Sequence, residues 1–272
     1  MTLSIITINY NNREGLQRTI DSVVSQTFTD YEWIVIDGGS TDGSRELIEQ
    51  YADHFAYWCS EPDKGIYNAM NKGISHAKGM WLQFLNSGDW LYENTTLEKV
   101  FAKEHEADVL YGDAIIVYKN NYQLPTHFPE KISLSYIIGH PLRHQATFYK
   151  DSIFHNNKYD ESYKIISDAV LNFDLIIQGK IFNHLDLYIV YFDGLGISST
   201  HRTKNNDDYD KMLTEHIPYH IWPDVDQARK WEFIKDRKSL QRLESFFYNF
   251  CISVNKLLRK IEVLKHRIKN KN

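Results

Sequence analysis

The first 90 residues alternate short β-branched apolar runs with amphipathic helical stretches, and this alternation constrains the fold more than any other feature of the chain. Leu3-Ser4-Ile5-Ile6-Thr7-Ile8 is the kind of run a buried parallel strand needs. After the break at Asn11-Asn12, Leu16, Ile20, Val23 and Val24 recur at helical spacing, which predicts a helix over 13–26. Trp33-Ile34-Val35-Ile36 predicts the next strand, closed by the turn-forming stretch 37–44. A helix through Leu47 and Ile48 follows, then a helical stretch over 67–77, a strand over 81–85 and the turn Asn86-Ser87-Gly88-Asp89. Strand and helix alternating through short links imply a right-handed doubly wound, mainly parallel sheet. In such sheets ligands sit beyond the carboxyl ends of the strands, where residues 9–11, Asp37 and Asp89 fall.

The second half is less regular. Residues 109–111 and 114–118 read as strands around a turn at Gly112-Asp113. Residues 140–149 are mixed, Ser167 or Asp168 is a candidate N-cap for a helix, and 185–192 reads as a strand leading into a loop over 194–199. Residues 201–239 read as loop and helical connection. From 240 the chain carries an apolar stripe at alternating spacings of three and four: Leu240, Leu243, Phe247, Phe250, Val254, Leu257, Ile261, Leu264, Ile268. This stripe suits packing against the body or a second copy, and equally a basic amphipathic helix lying on an anionic membrane. Both use the same face.

Charge is unevenly spread. Residues 255–272 carry seven Lys/Arg against Glu262 alone, so a chain with net charge -5 has a tail of +6 and a body of -11. The acidic body argues against a nucleic-acid binder, and the basic tail suggests an anionic surface. Cys59 and Cys251 are the only cysteines, too few for a disulfide scaffold or a four-cysteine zinc module. No apolar run approaches the roughly 20 residues that span a bilayer. The opening residues lack the basic stretch of a signal peptide, so the expectation is a cytoplasmic enzyme.

Single residues carry less. Asp37, followed by glycines, suits either hydrogen bonds to a uracil N–H or ribose hydroxyls, or a plain turn that caps the next helix. Asp89 suits Mg²⁺ or Mn²⁺, which take oxygen ligands and fill their shells with water and phosphate, but one aspartate is a weak signal. No Walker, dinucleotide or nucleophile-elbow motif occurs. His140 and His144 are four apart, yet Pro141 blocks the helix a metal pair would need, so His144 reads as structural or substrate-contacting. Asp207, Asp208 and Asp210 read as a solvated loop.

A denser pattern emerges when the segments are read together. Ile5-Ile6-Thr7-Ile8-Asn9-Tyr10-Asn11, Ser22-Val23-Val24-Ser25-Gln26-Thr27-Phe28 and residues 32–42 resemble the opening of a family 2 glycosyltransferase. Residues 61–74, with Ala77, Gly79 and Phe84-Leu85-Asn86-Ser87-Gly88-Asp89, resemble its bacterial cell-surface polysaccharide branch. The likeness is dense over 3–92 and patchier to about 199, through Tyr111-Gly112-Asp113, His144-Gln145-Ala146 and Ser167-Asp168.

This resemblance implies an α/β GT-A domain over 1–200, with a nucleotide-binding half to about 92 and an acceptor half beyond. It implies a nucleotide-sugar donor, usually a UDP-sugar, with Mn²⁺ or Mg²⁺. By position Thr7, Asn9 and Tyr10 would flank the base and Asp37 would hold the uridine. Asp63 and Lys64 would approach the donor, Lys64 near its phosphates. Asn86 belongs with these donor-side residues, His144 would meet the acceptor, and Asp89 would coordinate the metal. Many relatives have Asp-x-Asp-Asp where this chain has Asn-Ser-Gly-Asp, which leaves one carboxylate; His201 or Asp113 are candidates to complete the shell. An inverting displacement needs a base for the acceptor hydroxyl. The family places it at Asp168, where a helix N-terminus stabilises a charged carboxylate, with Asp174 and Glu161 as fallbacks. The implied function is inverting transfer to a glycan or lipid-linked oligosaccharide at the inner membrane face. The reduced acidic motif also admits a catalytically weak nucleotide-sugar-binding scaffold that joins true transferases through its C-terminal helix. A sugar-1-phosphate nucleotidyltransferase would need a glycine-rich basic N-terminal signature that is missing.

Overall fold

The structure is a computed structural model that describes residues 1–194, 208 and 211–216; residues 1–194 and 211–216 fall in one compact unit, Met1–Tyr219. Apart from 208 and 211–216, the expected 201–239 connection lies outside the described residues, as does the whole heptad helix.

The N-terminal half follows the predicted alternation. Strand β1 (Leu3–Asn9) leads to α1 (Arg13–Val24), β2 (Tyr31–Asp37), α2 (Ser44–Gln50), β3 (Tyr57–Ser60), α3 (Ile66–His76) and β4 (Trp81–Phe84). These strands lie in the order β3-β2-β1-β4, all parallel. Alternate residues of β1 enter opposite cores. Leu3 and Ile5 pack with Leu16, Ile20 and Val23 of α1, while Ile6 and Ile8 pack with Met70 of α3. Burial on both faces is why the strand reads as continuous apolar sequence rather than as an alternation. Asn11 turns the chain with φ of 48°, a conformation asparagine tolerates. Asn12 then caps α1 by accepting from Gly15 N at 3.2 Å.

Beyond β4 the pairing becomes mixed. The remaining elements are β5 (Trp90–Leu91), α4 (Thr96–Val100), β6 (Val109–Val117), β7 (Gln123–Thr126), α5 (Leu134–Gly139), β8 (Thr147–Lys150), α6 (Asp151–Asn156), α7 (Ser167–Ile177) and β9 (Phe182–Asp193). The sheet continues from β4 through β8, β6 and β9 to β5. Strand β8 runs antiparallel to both neighbours, and β6 is parallel to β9.

Two local expectations change. Gly112-Asp113 does not divide two strands: β6 is continuous, and its register against β9 slips at these residues, a bulge rather than a turn. A side chain at 112 would come within 2.6 Å of Ile189 Cγ1, so glycine is there for the approach of β9. Neither Ser167 nor Asp168 caps α7. The cap residue is Ile166, whose apolar side chain makes no hydrogen bond, and the Asp168 carboxylate is committed to Tyr67 and His144.

Candidate active site

The carboxyl ends of β1 and β4 open onto a cleft of about 1130 Å³. One wall comes from the parallel half and includes Asn9, Tyr10, Gly38, Asp63, Tyr67, Asn86 and Asp89. The other comes from the mixed half and includes Tyr118, Arg143, His144, Gln145, Asp168 and Asp193.

Asp168, in the first turn of α7, is held at both oxygens. Oδ1 lies 2.9 Å from the Tyr67 hydroxyl and Oδ2 lies 2.7 Å from His144 Nδ1. The Tyr67 hydroxyl also reaches Ile165 O. Burial, reinforced by the Asp168 charge, pushes the Tyr67 phenol well above its usual pKa, which keeps its O–H available as a donor. The second nitrogen of His144, Nε2, lies 3.0 Å from Asn86 Nδ2. A neutral ring that donates from Nδ1 to the carboxylate accepts at Nε2, where the amide of Asn86 faces it with nitrogen. Asn86 Oδ1 is then left buried without a partner. The chain Tyr67–Asp168–His144–Asn86 thus links α3, α7, the short turn His144–Ala146 and the turn after β4.

Asp89 follows Gly88, whose φ of 104° lets the turn fold tightly. Its carboxylate accepts from Asp193 N and from Gln145 Nε2, both at 2.8 Å. Burial pushes its pKa up to about 6 against the pull of these hydrogen bonds. Among the described residues no group of three or more His, Cys, Asp or Glu forms a metal cage. What the site offers is oxygen: the Asp89 carboxylate, the unpartnered Asn86 Oδ1, and Asp193 within electrostatic reach of Asp89. This donor set suits a hard cation in kind, and its remaining ligands would be phosphate and water.

The other expected residues divide. Asn9, Tyr10 and Asp63 line the cleft. Asn9 donates to Asp37 Oδ1 at 2.7 Å, and its own Oδ1 is buried without a partner. Thr7 does not flank this space. It is fully buried between strands, and its hydroxyl accepts from Trp33 Nε1 at 3.0 Å. Asp37 is also fully buried and turned away from the cleft. Its oxygens accept from Asn9, Gly39 N, Ser40 N, Ser40 Oγ and Ser60 Oγ. Burial raises its pKa, but these hydrogen bonds outweigh it and hold the carboxyl below its usual value. The carboxylate that sequence position assigned to the uridine is therefore occupied by donors of its own loop and of the ends of β1 and β3. Lys64 is exposed beside the cleft, between Asp63 and Gly65.

Asp113 cannot complete a metal shell at Asp89. It accepts from Phe128 N and pairs with His127 and His184, outside the cleft lining. His201 lies outside the described residues. Asp174 pairs with His216, and Glu161 with Asn68 and Asn71. Asp207 and Asp210 also lie outside the described residues. Asp208 is half-buried and accepts from Lys164 N at 3.2 Å, so it is more than solvated loop. Sequence reasoning missed Arg143, Tyr67 and Gln145. Gln145 and Arg143 flank His144 directly, but only the fold makes them neighbours of Asp89 and Asp168.

The profile of Glycosyl transferase family 2 matches residues 4–177. A PGL/p-HBAD biosynthesis glycosyltransferase of Mycobacterium bovis is 34% identical over 176 residues, covering 62% of this chain and 67% of that protein. Among solved structures, S. aureus TarS superposes with a TM-score of 0.67 at 16% identity, over 88% of this chain and 44% of TarS. Its 1–349 form in complex with UDP-GlcNAc gives 0.63 at 17% identity, over 84% of this chain and 79% of that one. The mannosyltransferase PcManGT from Pyrobaculum calidifontis, in complex with GDP-Man and Mn²⁺, gives 0.61 at 14% identity, over 84% of this chain and 68% of that one. This chain spans less than half of TarS, and likenesses at such identities concern the fold.

Proposed function

This chain belongs to glycosyl transferase family 2, and we propose that it transfers a sugar from a UDP-sugar to a glycan or lipid-linked oligosaccharide of a bacterial surface, with inversion. The observation that carries this reading is one oriented carboxylate, Asp168, sharing a cleft with Asn9, Asp63 and the turn that bears Asp89. Inversion in a single displacement needs one base on the acceptor side and charge stabilisation on the leaving-group side. The cleft has residues for both.

On the donor side, the unpartnered Asn9 Oδ1 is an acceptor available to a base N–H or ribose hydroxyl, and Tyr10, 64% exposed, offers a ring to the base. Asp37 and Thr7 act behind this wall, Asp37 by fixing the 38–40 turn. Asp63 and Lys64 border the sugar and phosphates. Asp89, with Asn86 Oδ1, would hold Mn²⁺ or Mg²⁺, and a cation bound there supplies positive charge against the departing diphosphate. On the acceptor side, Asp168 takes the hydroxyl proton as the oxygen attacks the anomeric carbon. Tyr67 and His144 keep its oxygens aimed. Residues 1–92 are read as the donor half and 93–200 as the acceptor half. Contact with an anionic membrane, or self-association, is assigned to 240–268 on sequence alone; among the described residues no helix is long and apolar enough to cross a membrane.

The test is a thermal-shift panel of nucleotide-sugars with Mn²⁺, followed by assay of UDP release with glycan acceptors. Stabilisation by a UDP-sugar with acceptor-dependent release supports the reading. Failure of every nucleotide-sugar to stabilise the protein refutes it. Donor binding with neither transfer nor hydrolysis would favour a binding scaffold instead.

A further inference from the structure

Arg143 stands in the cleft wall next to His144, yet its guanidinium makes no hydrogen bond or ion pair to any described residue. Its Nε is sealed from solvent and has no partner. The residue is held by other means. Its carbonyl accepts from Ala146 N at 2.9 Å and Thr147 Oγ1 at 2.8 Å, and the guanidinium lies 4.2 Å from the centre of the Phe192 ring. Asp89 and Asp168 act on it electrostatically without touching it. A half-buried cation whose Nε is sealed and whose fork of donors is unfilled is costly, and proteins keep such groups paired. Here the fork is preset by packing and the pairing anion is not part of the described chain.

We propose that Arg143 binds a phosphate of the substrate through its guanidinium fork, first of all the diphosphate of the nucleotide-sugar; this rests on the nucleotide-sugar reading above. A guanidinium matches phosphate oxygens with two parallel N–H bonds, and the Phe192 ring beneath it limits where it can move. The placement also answers the loss of acidic residues at 86–89. With a single carboxylate for a cation, part of the charge on the leaving diphosphate falls to a side chain of the protein. A phosphate carried by a lipid-linked acceptor would present the same chemistry to the same fork.

The experiment compares the full chain with Arg143→Gln and Arg143→Met, the second keeping apolar contact with Phe192. Calorimetric titrations in Mn²⁺ use UDP, uridine and farnesyl phosphate. Both variants should lose UDP affinity by roughly 10- to 100-fold, the span for a charge-assisted pair, while uridine affinity moves less than about twofold. The Tm of the ligand-free Arg143→Met protein should not fall, because no hydrogen-bond or ion-pair partner is lost and the apolar contact with Phe192 is kept. Loss of farnesyl phosphate affinity with UDP affinity intact would assign the fork to the acceptor's phosphate. Unchanged affinity for both phosphate compounds overturns the proposal, as does a parallel loss of uridine binding with a lowered Tm, the signature of a structural strut. A wild-type chain that binds neither UDP nor uridine sinks the nucleotide-sugar reading instead, and the farnesyl phosphate titration then decides Arg143 alone.

Discussion

His144 Nδ1 lies 2.7 Å from Asp168 Oδ2, and the two side chains are each 14% exposed. The carboxylate therefore meets the cleft with one oxygen backed by an imidazole and the other by the Tyr67 phenol. In the proposed role a carboxylate oriented in this way acts only as a charged acceptor, so Asp168→Asn should lower kcat by about 10²- to 10⁴-fold, the usual worth of a positioned base. UDP affinity should stay within about twofold, because Asp168 reaches the donor-side Asn86 only through the His144 ring. Steady-state rates beside a UDP titration check both, and a variant with near-normal kcat removes Asp168 from the reaction.

Both ring nitrogens of His144 are engaged, Nδ1 by Asp168 and Nε2 by Asn86. The ring has no nitrogen left for an acceptor sugar, which favours a positioning role over the acceptor contact read from sequence. His144→Ala should lower kcat roughly tenfold or more with little change in acceptor KM, by freeing the Asp168 carboxylate to rotate. His144→Asn keeps an N–H near the Nδ1 position and should recover part of the loss. A rise confined to acceptor KM would restore the acceptor-binding role.

Asp89 gives a pH-dependent stability with a defined sign. Its pKa in the folded chain is about 6, above the ordinary aspartate value of 3.8, because burial disfavours the charge. Between these values the folded state holds a proton that the unfolded state has released. The contribution is thus present at pH 4 and lost as pH rises through 6. The size is about 2–3 kcal/mol at a little over one kcal/mol per unit. Asp89→Asn cannot titrate, so its unfolding free energy relative to wild type should improve by that amount from pH 4 to pH 6.5, then level off. Denaturant unfolding at stepped pH measures it, and a flat difference would mean that burial does not govern Asp89.

Strands β1 and β2 were legible because both faces are buried and β-branched residues run together. Strand β3, Tyr57-Trp58-Cys59-Ser60, was not: as an edge strand of half-buried residues it has neither a continuous apolar run nor a strict alternation. Gly112-Asp113 has turn composition and became a bulge, because the approach of Ile189 is a property of another strand. The same limit governs the site. Asp89 and Asp168 announced themselves at element ends, but the side of a strand end on which a carboxylate lies depends on its partners. Gly39 and Ser40 of the following loop and Ser60 at the end of β3 hold Asp37 inward. Arg143 carried no local signal, since its meaning comes from partners it lacks.

The turn after β4 makes the last prediction. Asn86 Oδ1 is buried without a partner, in the cleft that also holds the Asp89 carboxylate. If a divalent cation binds here, Asn86 is a neutral ligand where a charged one would hold it more tightly, since carboxylates are the stronger ligands for hard cations. Asn86→Asp should then lower the Mn²⁺ concentration for half-maximal UDP binding, by roughly fivefold or more. It should also cost turnover, because a carboxylate cannot donate to His144 Nε2, and the ring that orients Asp168 would be recruited by a second acid. Tighter metal response with slower turnover is therefore the expected pair of results, read by Mn²⁺ titration and by UDP release on one preparation. An unchanged Mn²⁺ response would show that the cation, if bound, is held without residue 86.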